Sequence, residues 1–496
     1  MSPDIPRILF ADQLGPHFVE DQRVIIPEVL GPFRRRRYHR QKAHLILSAL
    51  RHRAAEMGST AELRRGETYH EVLSGVDASI VNPTSWGLRA LVQDLEASAA
   101  VEVLPSRGFV ASEEEFGKWA GTQSTRLLME NFYRHQRRET GILMAPGMNG
   151  ELEPEGGRFN FDHDNREAPP KGPETLGVAA PWYPTEDEID QEVREYLDAL
   201  EDSGDVSFLG ADGPRLFPAT RAEALDALEH FVTARLATFG PHEDAAMQGD
   251  WAMSHSLLSP ALNLGLLDPR EVLERVEASY HQGAVDLASA EGFIRQVMGW
   301  RDWVWHLYWH LGADFVDSNY LGHREELPIW WSELDSTDIR SRCVGHVLDE
   351  ARTRGWTHHI NRLMVLGSFA LQRGFNPRAL NDWFVDAFVD GTPWVMPANV
   401  IGMSQYADGG VVATKPYTSG GAYLNSMTNY CGSCAFKPTV RVGEKACPMS
   451  AGYWNFLHTQ ADALRGNHRM SKPLGGLTRL SDLERVLEQE SSRSEY

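Results

Sequence analysis

The chain has 496 residues, 42% hydrophobic and 24% charged, with a formal net charge of −21. That length and balance point to two or three globular domains, with no run of about 20 apolar residues able to cross a membrane. The acidic surplus excludes a generic charge-driven nucleic-acid binder, because phosphate contacts need Lys and Arg, while leaving room for a local basic face.

The first residues, MSPDIPRILFADQLG, carry no basic run leading into a long apolar core, so no secretory leader is expected. Short apolar, β-branched runs follow: RILF, RVIIPEV, ASIVNP and VEVLPS. Between them lie the helix-like stretches KAHLILSALRHRAAEM and TSWGLRALVQDLEASA. The alternation predicts an α/β front domain, a parallel sheet with helices on its faces. ADQLG, Ala11 to Gly15, would then sit at the carboxyl end of the first strand, where such sheets bind ligands. No G-x-G-x-x-G follows that strand, so an ordinary dinucleotide site is not indicated. The densest basic run, RRRRYHRQK from Arg34 to Lys42, reads either as a solvated helix start or loop, or as an anion site.

From Gly156 to about Asp190 the chain is rich in Gly, Pro and charge, which reads as a long connector over the surface. Beyond it strand signals fade. RAEALDALEHFVTARL and EGFIRQVMGWRDWVWHLYWHL have helical periodicity, so the back half is expected to be mostly α. Eleven of the 14 Trp lie after position 250. Most belong in a core; as a group they suit a large flat cofactor or electron hopping between rings.

Several stretches carry chemistry. SHSLLSPALNLGLLDPREV, from Ser254, offers hydroxyls and backbone N–H groups at a helix start, either for a phosphate or as a plain N-cap. Glu291 and Arg295 stand one turn apart and read as an i,i+4 salt bridge. His358 and His359, followed by Arg362 in an apolar setting, suggest proton chemistry or core histidines. Cys431, Cys434 and Cys447 follow C-x2-C-x12-C and ask for a metal. Four cysteines in so long a chain do not read as a disulfide framework, and a reducing, cytoplasmic setting is the expectation.

S-x-LSP-x-L-x-LG-x-L near 256–267, the WRD helix and NVIGMSQYADGG together resemble the photolyase/cryptochrome superfamily. The cysteine spacing narrows the resemblance to iron–sulfur bacterial cryptochromes and photolyases, the prokaryotic (6-4) photolyase branch. It covers nearly the whole chain, with ADQLG, MENFYRHQRRETGILM and GRFNFDHDNR also matching. The resemblance implies a Rossmann-like α/β antenna domain at 1–145, a linker at 146–190 and an all-α FAD-binding domain at 191–496. Cys343 matches the fourth ligand of a [4Fe–4S] cluster completed by Cys431, Cys434 and Cys447; a four-cysteine zinc site has the same ligand count. FAD would meet His255, Ser256, Leu257, Leu258 and Ser259, with Phe239, Gly240, Asp244 and Met247 at the entrance. Glu291, Arg295, Arg362, Asp390 and Asn399 are candidates around the flavin. His359 matches the proton donor of (6-4) repair, supported by His358. Trp383 matches a flavin-proximal electron donor, with Trp330 and Trp331 nominated beyond it.

The implied partner is UV-damaged DNA with its lesion flipped out, approached by Met403, Lys415 and Tyr417, and the expected state is a monomer. Asp12 and Glu28 stand where a lumazine antenna (6,7-dimethyl-8-ribityllumazine) would bind, although Pro32 replaces an expected acid. Phe384 replaces a tyrosine and Met396 a residue that is often acidic. The alternative to light-driven repair is a cryptochrome photoreceptor that signals through a partner.

Overall fold

The structure, a computed structural model, describes residues 5–124, 126–148 and 150–496. Five parallel strands form the N-terminal sheet: β1 Arg7–Ile8, β2 Val24–Val29, β3 Ala61–Gly66, β4 Ala78–Val81 and β5 Val101–Leu104. Their order is β3-β2-β1-β4-β5, and Ile8 of β1 lies between Ile25 and Ile80. β2 and β4 are buried along their whole lengths, as strands covered on both faces must be. β3, AELRRG, is an edge strand that the sequence reading does not anticipate. Its charged, partly exposed side chains blunt an edge and erase the apolar signal that betrays a central strand. The strand order reverses between β1 and β4, so Asp12, just past β1, lies at the crevice where open sheets bind ligands.

Helix starts obey local capping chemistry. Thr220 and Glu223 form a capping box before Arg221–Ala234, as do Asp268 and Glu271 before Pro269–His281, where Pro269 supplies a preset φ. Each such cap contributes about 1 kcal/mol.

The connector differs from the surface strap expected of it. From Arg158 to Asp187 it has no regular element, yet its first part is tucked inward. Phe161 N donates to Glu291 Oε2 at 3.0 Å, and Asn165, 1% exposed, donates to the Ala288 carbonyl at 2.9 Å. Beyond Glu188 the described residues are dominated by helices, the expected all-α back half. Three of these helical stretches widen into π-turns, Arg295–Arg301, Asn361–Gly367 and Pro397–Ser404.

Sheet and helical parts are bolted together by buried polar groups. The Arg34–Lys42 run is split between solvent and the joint: Arg34, Arg35 and Arg37 stay exposed, while Arg40 to Lys42 open a helix and are buried. Arg36 pairs with Asp386 at 2.7 Å and Arg37 with Glu333 at 2.7 Å, while Arg40 meets Asp198. Lys42 is buried and donates to the carbonyls of Val385 (2.5 Å) and Gly391 (2.6 Å). Burial pulls its ammonium down to about 7. From the other side, buried Asp302 of the WRD motif accepts the backbone N–H of Val110 (3.0 Å) and Ala111 (2.8 Å). That motif therefore docks the two parts.

Candidate functional site

The three π-turns converge on one cavity of about 1180 Å³. Gln296, Val297, Trp300 and Arg301 of the first line it, as do Arg362, Leu363 and Met364 of the second and Asn399, Val400, Met403 and Ser404 of the third. A π-turn inserts one residue per turn and bends side chains out of helical register, and it recurs at functional sites for that reason.

One wall is polar and fixed. Asp390 accepts Arg362 Nη1 at 2.7 Å, Arg362 Nη2 at 3.2 Å and Ser259 Oγ at 2.7 Å. The Asp390 carbonyl holds Asn263 Nδ2 at 3.0 Å, and Arg362 Nε reaches the Thr357 carbonyl at 2.6 Å. Leu257 takes a left-handed φ of +60°, which is costly for a branched residue and bends the Ser256–Ser259 turn along the cavity. Ser256 and Ser259 both line it. Phe293, Trp394, Phe384 and Met396 form an apolar, aromatic stretch of the lining. Polar groups at a few fixed places in an otherwise apolar cavity are what a large, flat, charged cofactor needs.

The histidines divide by environment. His359 lines the cavity with its side chain 47% exposed, and its Nε2 lies 3.6 Å from Asp244 Oδ1. His358 is 1% exposed and His255 9%, and burial pushes both well below the usual imidazole range. Glu243, beside Asp244, is pushed up to about 9 by burial and by the neighbouring acids, so it carries a proton at neutral pH.

Of the residues anticipated around a flavin, Asp244, Ser256, Ser259, Arg362, Asp390 and Asn399 line this cavity, together with His359, Met403, Lys415 and Tyr417. Others stand behind it. Glu291 and Arg295 do not pair with each other: Glu291 accepts Tyr133 Oη at 2.8 Å, and Arg295 meets Glu130 at 2.6 Å. Gly240 permits a close helix crossing, since a Cβ there would sit 2.8 Å from Ser289 Cα. Phe239, Met247, Leu257 and Leu258 are buried packing residues. Trp383 lies behind Phe384, with ring centroids 5.1 Å apart, and continues to Trp331 at 5.2 Å and Trp330 at 5.8 Å. Sequence reasoning missed Asp162, Arg166, Gln296, Trp300 and Trp394, all on the wall. The first two belong to the supposed surface connector, within GRFNFDHDNR; Trp300 lies in the WRD motif and Trp394 among the grouped tryptophans, and no local pattern marks Gln296.

Near β1, Asp12 accepts Thr84 Oγ1 at 2.5 Å and keeps Oδ1 buried and unpartnered. Glu28 is occupied: Arg51 takes both of its oxygens, at 2.9 and 2.8 Å, and Arg65 adds a contact at 3.3 Å.

The four cysteines, 88 positions apart at the widest gap between Cys343 and Cys431, line one small enclosed space with Leu424, Tyr430 and Phe436. Cys343 lies in the first turn of Arg342–Arg354, and Cys447 caps Pro448–Thr459. None is in a disulfide. No three of the four sulfurs lie within 4.8 Å of one another. A zinc tetrahedron with 2.3 Å bonds would draw them to about 3.8 Å. Burial and the neighbouring thiols push Cys431 up to about 12, so that thiol ionises only beside a cation.

Solved structures place the fold among photolyases and cryptochromes. A bacterial class III photolyase from Agrobacterium tumefaciens aligns with a TM-score of 0.52 at 18% identity, over 83% of this chain and 81% of that one. A Synechocystis cryptochrome aligns with a TM-score of 0.54 at 12% identity, over 82% of each. Residues 7–206 match the family model for deoxyribodipyrimidine photo-lyase-related protein. A (6-4) photolyase of Agrobacterium fabrum is 35% identical over 510 aligned positions, 96% of either chain. The chain belongs to the prokaryotic (6-4) photolyase branch of the photolyase/cryptochrome superfamily.

Proposed function

We propose that the protein is a light-dependent DNA repair enzyme that restores (6-4) pyrimidine–pyrimidone photoproducts, with FAD in the 1180 Å³ cavity and a [4Fe–4S] cluster on the four cysteines. The observation that carries the reading is the placement of His359, half exposed, on the wall of the same cavity that holds the Arg362–Asp390–Ser259 group. When bound, FAD supplies the light-excited electron. Every other requirement falls on side chains.

Ser256, Ser259 and Asn399 offer polar contacts to the cofactor, and the fixed Arg362–Asp390 pair orients it without reorganisation. The aromatic wall excludes water. A lesion must leave the duplex to reach His359, and damaged, poorly stacked bases flip at least cost. Lys415 and Tyr417 line the open side, where a strand would lie. His359 gives its proton to the lesion, with Asp244 3.6 Å away to orient the ring. His358 is buried and neutral and positions its neighbour. Trp383, Trp331 and Trp330 form a contiguous file for resupplying electrons.

The spread of the cysteine sulfurs favours a cluster over a single zinc ion, and its duty is to hold the C-terminal segment against the helix bearing Cys343. Of the two front-domain acids, only Asp12 keeps an unpaired oxygen for a lumazine ring.

The test is illumination of a (6-4)-containing oligonucleotide with reduced, FAD-loaded protein. Restored bases under blue light and none in the dark are expected. Full FAD occupancy without restoration would leave a cryptochrome-type photoreceptor instead.

A further inference from the structure

His255, His358 and His359 each offer a ring nitrogen, and the three nitrogens lie within 4.8 Å of one another. The rings come from two segments, Met253–Ser256 and Thr357–Ile360, which the fold brings face to face. Ring centroids are 4.7 Å apart for His255 and His358, 5.3 Å for His255 and His359, and 6.3 Å for His358 and His359. Three imidazoles on one tetrahedral ion, with metal–nitrogen bonds of 2.0–2.1 Å, would have centroids about 5 Å apart. The separations are of that order, while the His255 and His358 rings stand stacked at 18°, so a ring rotation accompanies closure on an ion.

Two ring nitrogens of this group are buried without a hydrogen-bond partner. His255 Nδ1 lies 3.3 Å from the Ala252 carbonyl, which fixes the ring, and His255 Nε2 is buried with no hydrogen-bond partner. A backbone carbonyl on the far nitrogen is the usual support for a metal-binding imidazole. His358 Nδ1 is likewise buried and unpartnered. Buried nitrogens without a partner on adjoining rings are open to a ligand. The Asp244 carboxylate, 3.6 Å from His359 Nε2, stands ready as a fourth ligand or as an outer-shell partner.

We propose that His255, His358 and His359 form a binding site for one divalent transition-metal ion of the zinc type, and that its occupancy takes His359 out of proton donation. An all-imidazole set selects a borderline-soft ion over Mg²⁺ or Ca²⁺, which require oxygen ligands. The inhibitory half rests on the repair reading above; the binding half does not. Metal would thus silence the chemistry without displacing the cofactor.

The experiment is calorimetric titration of Zn²⁺ into the anaerobically purified holoprotein, whose cysteines are filled with iron. One saturable ion per chain is expected. Affinity should fall at least about tenfold in His255→Ala and in the half-exposed variant His359→Gln, with flavin and iron contents retained. In a parallel assay, Zn²⁺ should suppress blue-light repair by the parent protein over the concentration range in which it binds. Absence of saturable binding, or unchanged affinity in either variant, would overturn the site. Repair unaffected at full zinc occupancy would overturn the inhibition. Failure to repair without zinc strikes the function reading alone and leaves the binding arm intact.

Discussion

His358 and His359 are adjacent in sequence, yet one is sealed in the interior and the other faces the cavity. Under the proposed function, that difference gives the proton to His359. His359→Gln should keep its FAD and lose repair by at least about 100-fold, measured as restored bases per absorbed photon, since positioned proton donors contribute that much or more. The pair was legible in the sequence as candidate proton chemistry, and the family resemblance named His359 as the donor; that His358 is sealed in while His359 faces the cavity is set by tertiary packing just ahead of the π-turn that begins at Asn361. Glu243 gives a pH signature at the same scale. Its folded value of about 9 lies above the unfolded value of 4.5, so the folded state holds the extra proton between them. Stability is then fully present at low pH and declines as pH rises from about 4.5 to about 9, by at most about 1.4 kcal/mol per pH unit. Glu243→Gln copies the protonated form and should raise the melting temperature more at pH 8 than at pH 5. An equal effect at both would remove the assignment.

The cysteine hairpin and the flavin wall meet through one buried chain of hydrogen bonds between elements. Tyr430, beside Cys431, donates to Asn361 Oδ1 at 3.1 Å. Asn361 Nδ2 in turn donates to Thr357 Oγ1 at 2.9 Å and Glu350 Oε2 at 3.2 Å. Asn361 opens the π-turn that carries Arg362, so the seating of the cysteine segment fixes a cavity residue. Tyr430→Phe removes only the hydroxyl and leaves Asn361 Oδ1 unpaired. It should cost about 1–3 kcal/mol in denaturant unfolding of the iron-loaded protein, with iron content unchanged. Cys431, Cys434 and Cys447 announced themselves by spacing. Cys343 did not, since helical packing alone brings it in, and only the family resemblance found it. The opposite failure is β3, where an edge strand of charged residues has no apolar rhythm to read.

Across the whole molecule, the sheet and the helical part are joined through buried charged side chains, Lys42 and Asp302 among them. Lys42, from the front, holds the carbonyls on either side of Asp390, the residue that fixes Arg362. Lys42→Met strips two buried carbonyls of their donor. It should destabilise the protein by about 2 kcal/mol or more and speed the loss of FAD, both followed by flavin fluorescence during unfolding. The division into a strand-bearing front and a helical back was plain from periodicity, because core-facing patterns of period 2 and 3.6 differ strongly. The joint between them was not, because a run of arginines reads the same whether it faces water or a row of acids.

The account stands on one flavin and one iron cluster in the two places described, and an absorption spectrum of anaerobically purified protein, with iron assay, addresses both at once. It predicts flavin bands that bleach under blue light in the presence of reductant, over a brown background from about four iron atoms per chain. A colourless preparation, or one with stoichiometric zinc and no flavin, would contradict it.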